Sequence, residues 1–425
     1  MMTVIEPPSA LSSPQRRSQV LLMFYLPGQS VTPQQLVRLN QVDEATAQQD
    51  IAETGREIQR YHRLTLASQM DGSYRIEGAA LDQRLCLLHA LRRGLRLCPH
   101  FVHHHFTPAL KTQLKQQGIA RTLYDDTNLQ ALVNRCARAL NRQFDCRDGQ
   151  FLRLYLQYCL LQHHLGQSPD FTREQRNWAQ AAAEFNLAAE IVRHWQRRVS
   201  ATPHAGEQLF LTLLFMLLKT PDPIHDGHQQ DRRLHLAISR LIHRFQDLAG
   251  RPFSDEQGLS DQLYIHLSQA LNRSVFAIGI DNALPEEIGR LYPRLMRTTQ
   301  EALRDFETAY HIQFNQEEVS LIAVIFGAWL MQKADLHEKQ VVLLTRENSE
   351  LEQALEMQLR ELTLLPLNIK YLSVTQFQQQ GAPKDVTLVV TPYTTALPLF
   401  SPPLFHAEEN FSDHQRQQIC KMLED

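Results

Sequence analysis

The chain has 425 residues, long enough for several domains rather than one core, and its 43% hydrophobic and 21% charged residues are ordinary for a globular protein. A formal net charge of −3 gives no bulk basic field, so any nucleic-acid contact has to come from a local patch. The longest apolar run, Leu209–Leu218, is too short for a bilayer, no leader-like pattern opens the chain and the six cysteines lack CxxC spacing, which implies a cytoplasmic protein with reduced thiols and no membrane partner.

Residues 1–11, with Pro7 and Pro8, read as a tail. Residues 12–82 follow with helix signals over Ser13–Leu26, from Thr32-Pro33, and from Asp43 or Thr46 to about Tyr61. Two short strands, Leu64–Leu66 and Tyr74–Ile76, flank Asp71-Gly72 as a hairpin. Three helices and a hairpin form a winged helix-turn-helix pattern. Residues 83–124 are a basic helical segment predicted as two or three short helices. Arg84, Arg92, Arg93, Arg96, Lys111, Lys115 and Arg121 meet no acidic residue there.

Residues 125–222 and 223–335 read as two helical bundles related by duplication. Glu207–Phe215 matches Glu318–Phe326, and Leu154–Gln157 matches Leu263–His266, at nearly one offset. Pro221 and Pro223 mark the seam. Residues 336–425 change character. Apolar strands at Gln340–Thr345, Leu367–Val374 and Val386–Thr391 alternate with an amphipathic helix carrying Leu351, Leu355, Leu359 and Leu362, and Ser412–Leu423 closes the chain as a helix. That order predicts a parallel α/β sheet.

In the second bundle, Leu263-Tyr264-Ile265-His266-Leu267, Arg273, Asp281-Asn282, Leu291-Tyr292-Pro293 and Glu318–Gly327 resemble the phosphotransferase-system regulation domain, or PRD, of bacterial transcriptional regulators. The resemblance implies a mainly α multidomain protein: a winged helix-turn-helix, two PRD bundles and a small enzyme IIB-like α/β domain. It also implies DNA and phosphocarrier proteins as partners, a homodimer and no enzyme activity. Family members take phosphoryl groups on histidines, two in each regulation domain. Here the four family positions fall on Gln157, Leu214, His266 and Ile325, so His266 is the remaining acceptor, with Arg273 in support. A IIB-like module carries its phosphorylated cysteine after the first strand. The loop Thr345-Arg346-Glu347-Asn348-Ser349 has none, Cys420 lies in the last helix, and Glu347 and Glu350 would repel phosphate.

Each candidate has a plainer reading beside it. Thr46, Gln48 and Gln49, near the start of the third helix, are the base-contact candidates, but Asp43-Glu44 open that helix and the charges of residues 12–80 balance. Arg92, Arg93 and Arg96 are the phosphate-contact candidates, against a solvated helical face. His266, among apolar neighbours, also reads as a core histidine. Consecutive His103-His104-His105 on a helix point about 100° apart and do not converge on a metal, so no metal or cofactor is expected. Glu207 and Glu318 read as reciprocal helix caps. The favoured function is a DNA-binding transcriptional regulator with largely degenerate phosphorylation sites. The rivals are an adaptor acting through protein contacts, which filter binding separates from it, and a phosphocarrier, which the missing cysteine and histidines argue against.

Overall fold

The computed structural model describes residues 11–27, 30–198, 205–280, 284–332, 338–346 and 349–424. The predicted tail up to residue 10, Gly28, the Asp281-Asn282 pair and the loop residues Glu347 and Asn348 lie outside them. Two units divide the chain: residues up to 219 together with 275–279, and residues 220–274 with 280–425. Each is described by itself.

In the first unit, helices α1 (Ser13–Met23), α2 (Pro33–Asn40) and α3 (Glu44–His62) precede an antiparallel hairpin, β1 (Thr65–Ser68) and β2 (Tyr74–Glu77). Local chemistry sets the helix starts. Ser12 and Thr32 form capping boxes with Gln15 and Gln35, Pro14 and Pro33 occupy first turns, and the Asp43 carboxylate accepts from the Thr46 amide. α1 ends at Met23, earlier than its apolar run suggests. The turn between α2 and α3 is short, with Gln41 in the left-handed region at φ 52°.

The basic segment is helical as expected, but its first helix is longer than the short helices the sequence suggested. α4 (Ala80–Leu97) is 18 residues long. Val20, Leu21 and Leu22 of α1 share a buried core with Leu85, Leu87, Leu88 and Leu91 of α4. Gly94 lets the helices approach at that crossing, because a Cβ there would come within 2.5 Å of Leu22 Cδ1 and the leucine would have to shift. After α5 (Pro99–Phe101), a π-helical turn over Val102–Phe106 runs into α6 (Thr107–Gln116).

Five helices follow: α7 (Asp126–Ala139), α8 (Cys146–His164), α9 (Arg173–Gln180), α10 (Glu184–Gln196) and α11 (Ala205–Leu217). The second unit opens with a run of the same order: α12 (Gln229–Ala249), α13 (Glu256–Val275), α14 (Leu284–Leu291), α15 (Pro293–Tyr310) and α16 (Gln316–Leu330). In both runs the third helix is the short one, at 8 residues. Phe245 of α12 stacks on Phe326 of α16 with ring centroids 4.0 Å apart, and Leu263 and Leu267 of α13 are fully buried.

The C-terminal part of this unit is a four-stranded parallel sheet in the order β4-β3-β5-β6, made from β3 (Lys339–Thr345), β4 (Leu367–Ser373), β5 (Val386–Thr391) and β6 (Leu404–His406). α17 (Ser349–Glu361) and α19 (Asp413–Glu424) cover one face through Leu355, Leu359, Ile419 and Leu423. α18 (Val374–Gln380) covers the other through Val374 and Phe377. Burial from both sides is why Val341–Leu344 is an uninterrupted apolar run. α18 and β6 are additions to the sequence reading. The first starts where a strand was expected to end, and the second is only three residues long.

Candidate functional site

His266 and Arg273 lie seven residues apart on α13, two turns along one helix face. Both reach Glu318 in the first turn of α16. The Arg273 guanidinium binds the carboxylate through two hydrogen bonds, Nε to Oε1 at 2.5 Å and Nη2 to Oε2 at 3.2 Å. His266 Nε2 is 3.3 Å from Glu318 Oε2, within ion-pair range but outside hydrogen-bond alignment. The side chains of His266, Arg273 and Glu318 are 18%, 22% and 3% exposed. Nε2 itself is sealed from solvent, so the accessible part of the ring lies elsewhere on the imidazole.

The sequence reading of Glu318 needs correcting. Asn315 caps α16 by accepting from the Glu318 amide at 2.9 Å, but the Glu318 side chain turns to Arg273 and His266 instead of returning the cap. Burial alone would raise the Glu318 carboxyl, but the His266 ring and the Arg273 guanidinium more than offset this and hold it below its ordinary value of 4.5. A lowered carboxylate adds stability above pH 4.5 that is lost as the pH falls through the folded-state value. Glu318→Gln is therefore expected to melt below the wild type at neutral pH and to converge with it in more acid solution, as followed by fluorescence. A gap that persists unchanged at acid pH counts against this role.

The Glu207 cluster of the first unit is built differently. Glu207, in the first turn of α11, is fully buried and is gripped by Arg84 of α4 at 2.7 and 2.9 Å. The Ser168 hydroxyl donates to the same carboxylate at 2.9 Å, and His163 Nδ1 lies 4.0 Å away. Arg84 also donates to the Gln167 carbonyl at 3.1 Å and lies over the Phe210 ring. Glu207 is thus half of a buried ion pair rather than a reciprocal cap. Gln157, Leu214 and Ile325, the three other positions named in the sequence reading, are all buried, and Gln157 donates to the Tyr124 carbonyl.

The nucleic-acid candidates scatter. Gln48 and Gln49 are exposed on α3 and Thr46 is half-buried, while Gln49 donates to Glu53 at 3.0 Å. The basic segment is largely matched by acids from elsewhere in the chain: Arg84 by Glu207, Arg92 by Asp148 at 3.2 Å, Arg93 by Glu57 at 2.6 Å and Lys111 by Asp126 at 3.1 Å. Among the described residues Arg96, Lys115 and Arg121 form no ion pair, so the free positive charge is smaller than the sequence count implies. His103, His104 and His105 are exposed on the π-helical turn.

At the C-terminal ends of β3 and β5, buried Glu352 of α17 accepts from the Thr345 hydroxyl at 2.7 Å, the Arg346 amide at 2.9 Å and the Tyr393 hydroxyl at 2.8 Å. An internal carboxylate fills the polar groups at this end of the sheet. Cys420 is half-buried in α19, with its Sγ 3.4 Å from the Leu362 carbonyl.

The PRD domain family matches residues 239–329, the stretch that holds His266, Arg273 and Glu318. The family described as the C-terminal domain of the stationary phase-inducible protein CsiE matches residues 339–423. Transcriptional regulator ManR of Bacillus subtilis (strain 168) is 26% identical over 141 residues, covering 32% of this chain and 22% of ManR. The stationary phase-inducible protein CsiE of Escherichia coli (strain K12) is 59% identical over 424 residues, covering 100% of both chains. With a PRD domain in its second unit and full-length similarity at that level, the chain belongs to the CsiE family.

Proposed function

We propose that the protein is a cytoplasmic PRD-type transcriptional regulator that binds DNA as a homodimer and takes a phosphoryl group on His266 from a phosphocarrier protein. The observation that carries the reading is the His266–Arg273–Glu318 cluster inside the matched PRD domain. A neutral imidazole is a competent phosphoryl acceptor, and the added charge of about −1.5 to −2 falls next to Glu318. Repulsion then drives Glu318 away, and Arg273 changes partner from carboxylate to phosphate. That exchange loosens the start of α16 and is the local event that a dimer interface would report.

The N-terminal region is read as a winged helix, supported by the short left-handed turn between α2 and α3 and by the hairpin directly after α3. The division proposed is a winged helix at 12–82, a basic helical segment at 83–124, PRD-like bundles at 125–222 and 223–335 and a degenerate IIB-like domain at 336–425. For the last, the carboxylate of Glu352 stands among groups suited to an anion, which favours a docking or structural role over phosphoryl carriage. The regulatory relatives support a binding protein rather than an enzyme.

Filter binding of the full chain to duplex DNA at low and physiological salt tests the reading. Arg96→Ala is expected to weaken retention and flatten the salt dependence by about one unit of log–log slope, as loss of one phosphate contact does. Arg92→Ala and Arg93→Ala act less, because both cations already face carboxylates. Gln48→Ala with Gln49→Ala weakens preferred sites more than random DNA. No retention at low salt would leave the adaptor reading in its place.

A further inference from the structure

A polar cleft of about 330 Å³ lies within the first unit between the end of β2, the start of α4 and α8. Of the residues discussed above, Arg84 and Gln167 are among those that line it. Two of the Arg84 nitrogens are committed to Glu207 and the Gln167 carbonyl, but Nε is buried without a hydrogen-bond partner in a side chain only 2% exposed. A buried donor without a partner is costly, so a ligand group that reached it would gain affinity. Arg75 of β2 also lines the cleft. Its residue is exposed, and among the described residues it forms no ion pair.

The remaining polar wall comes from Gln83, Tyr158, Gln162 and Gln167. Burial pushes the Tyr158 phenol up, so it stays a neutral O–H donor at physiological pH. The lining residues include two arginines, a tyrosine and three glutamines, with no aspartate or glutamate among them. Because Glu207 cancels Arg84, the net positive charge of the wall is that of Arg75. Such a wall repels cations and apolar ligands and suits one small anion that also carries hydroxyls. Its size lies at the lower end for ligand clefts, consistent with a metabolite of a few carbons rather than a nucleotide or a peptide.

We propose that this cleft binds a small hydroxylated oxyanion, a carboxylate- or phosphate-bearing metabolite, with Arg75 as its charge partner and Gln162 and Tyr158 as hydroxyl and oxyanion partners. The ligand would tie the β1–β2 hairpin to α8, giving the first bundle an input that needs no histidine. The inference does not depend on phosphorylation of His266 and survives its failure.

Inorganic phosphate, succinate and 3-phosphoglycerate, each at matched ionic strength, are the probes, with the full chain followed by thermal melting and titration calorimetry. At least one probe is expected to raise the melting temperature, and comparison of the three arms separates phosphate from carboxylate recognition. Arg75→Ala is at an exposed position and should fold. It is expected to weaken the responding probe by about tenfold or more, as loss of a charged hydrogen bond does. Gln162→Ala is expected to weaken 3-phosphoglycerate more than inorganic phosphate. No response to any of the three probes, or one undiminished in Arg75→Ala, overturns the proposal.

Discussion

Arg84→Ala is expected to destabilise the first unit by about 3–5 kcal/mol, far more than loss of any surface ion pair. Its partner, Glu207, is 0% exposed, so the substitution strands a carboxylate away from water. It also removes the donors to the Gln167 carbonyl and the cation over Phe210. Glu207→Ala strands the guanidinium in turn. Replacing both residues together, Arg84→Met with Glu207→Leu, is expected to recover most of the loss, because an apolar pair of similar volume carries no desolvation penalty. Urea unfolding followed by hydrogen exchange in α4 and α11 measures these effects and separates them from the second unit. A single Arg84→Ala cost below about 1 kcal/mol would show that the pair behaves like a surface one.

That pair also marks where sequence reasoning stops. Helix starts were legible because their determinants are local: Thr32 with Pro33, Asp43 with Thr46, and Asn315 with Glu318 each sit within a few residues. The parallel sheet was legible because strands buried on both faces are apolar throughout, as Val341–Leu344 is. The partner of Glu207 was not legible. Arg84 is 123 residues earlier, in a segment whose uninterrupted positive charge looked like a surface patch. Nothing in a linear count distinguishes a buried arginine from an exposed one, and the acids that neutralise Arg92 and Arg93 are equally distant. The side-chain role of Glu318 was missed for a related reason. Its spacing from Asn315 satisfies the capping pattern, but the Arg273 guanidinium and the His266 ring on α13 compete for the same carboxylate and win.

The two buried glutamates are put to two uses. In the first unit the carboxylate is enclosed by Arg84 and Ser168 and is fully buried. In the second, the His266 and Arg273 side chains that face Glu318 keep about a fifth of their surface. A cluster of the first kind holds helices together; one of the second kind can exchange partners when charge arrives. The contrast supports confining phosphoryl control to the second bundle.

Incubation with a phosphorylated phosphocarrier protein is accordingly expected to place about one acid-labile phosphoryl group per chain, on His266, and His266→Ala is expected to lose essentially all of it. The expectation of one rests on the sequence reading of the acceptor positions, in which Gln157, Leu214 and Ile325 offer no ring nitrogen and His266 does. Because Nε2 is sealed against Glu318, transfer to that atom requires the ring to leave the carboxylate, whereas transfer elsewhere on the ring brings the new charge beside Glu318. Either way Glu318 opposes the product, so Glu318→Gln should accept label faster than wild type. Arg273→Ala, which removes the cation available to the phosphate, should accept less. Mass spectrometry under alkaline conditions locates the group and phosphohistidine chemistry confirms it. Equal labelling of wild type and His266→Ala would assign the phosphoryl group to another residue, and with it the proposed exchange of partners at Arg273 would fail.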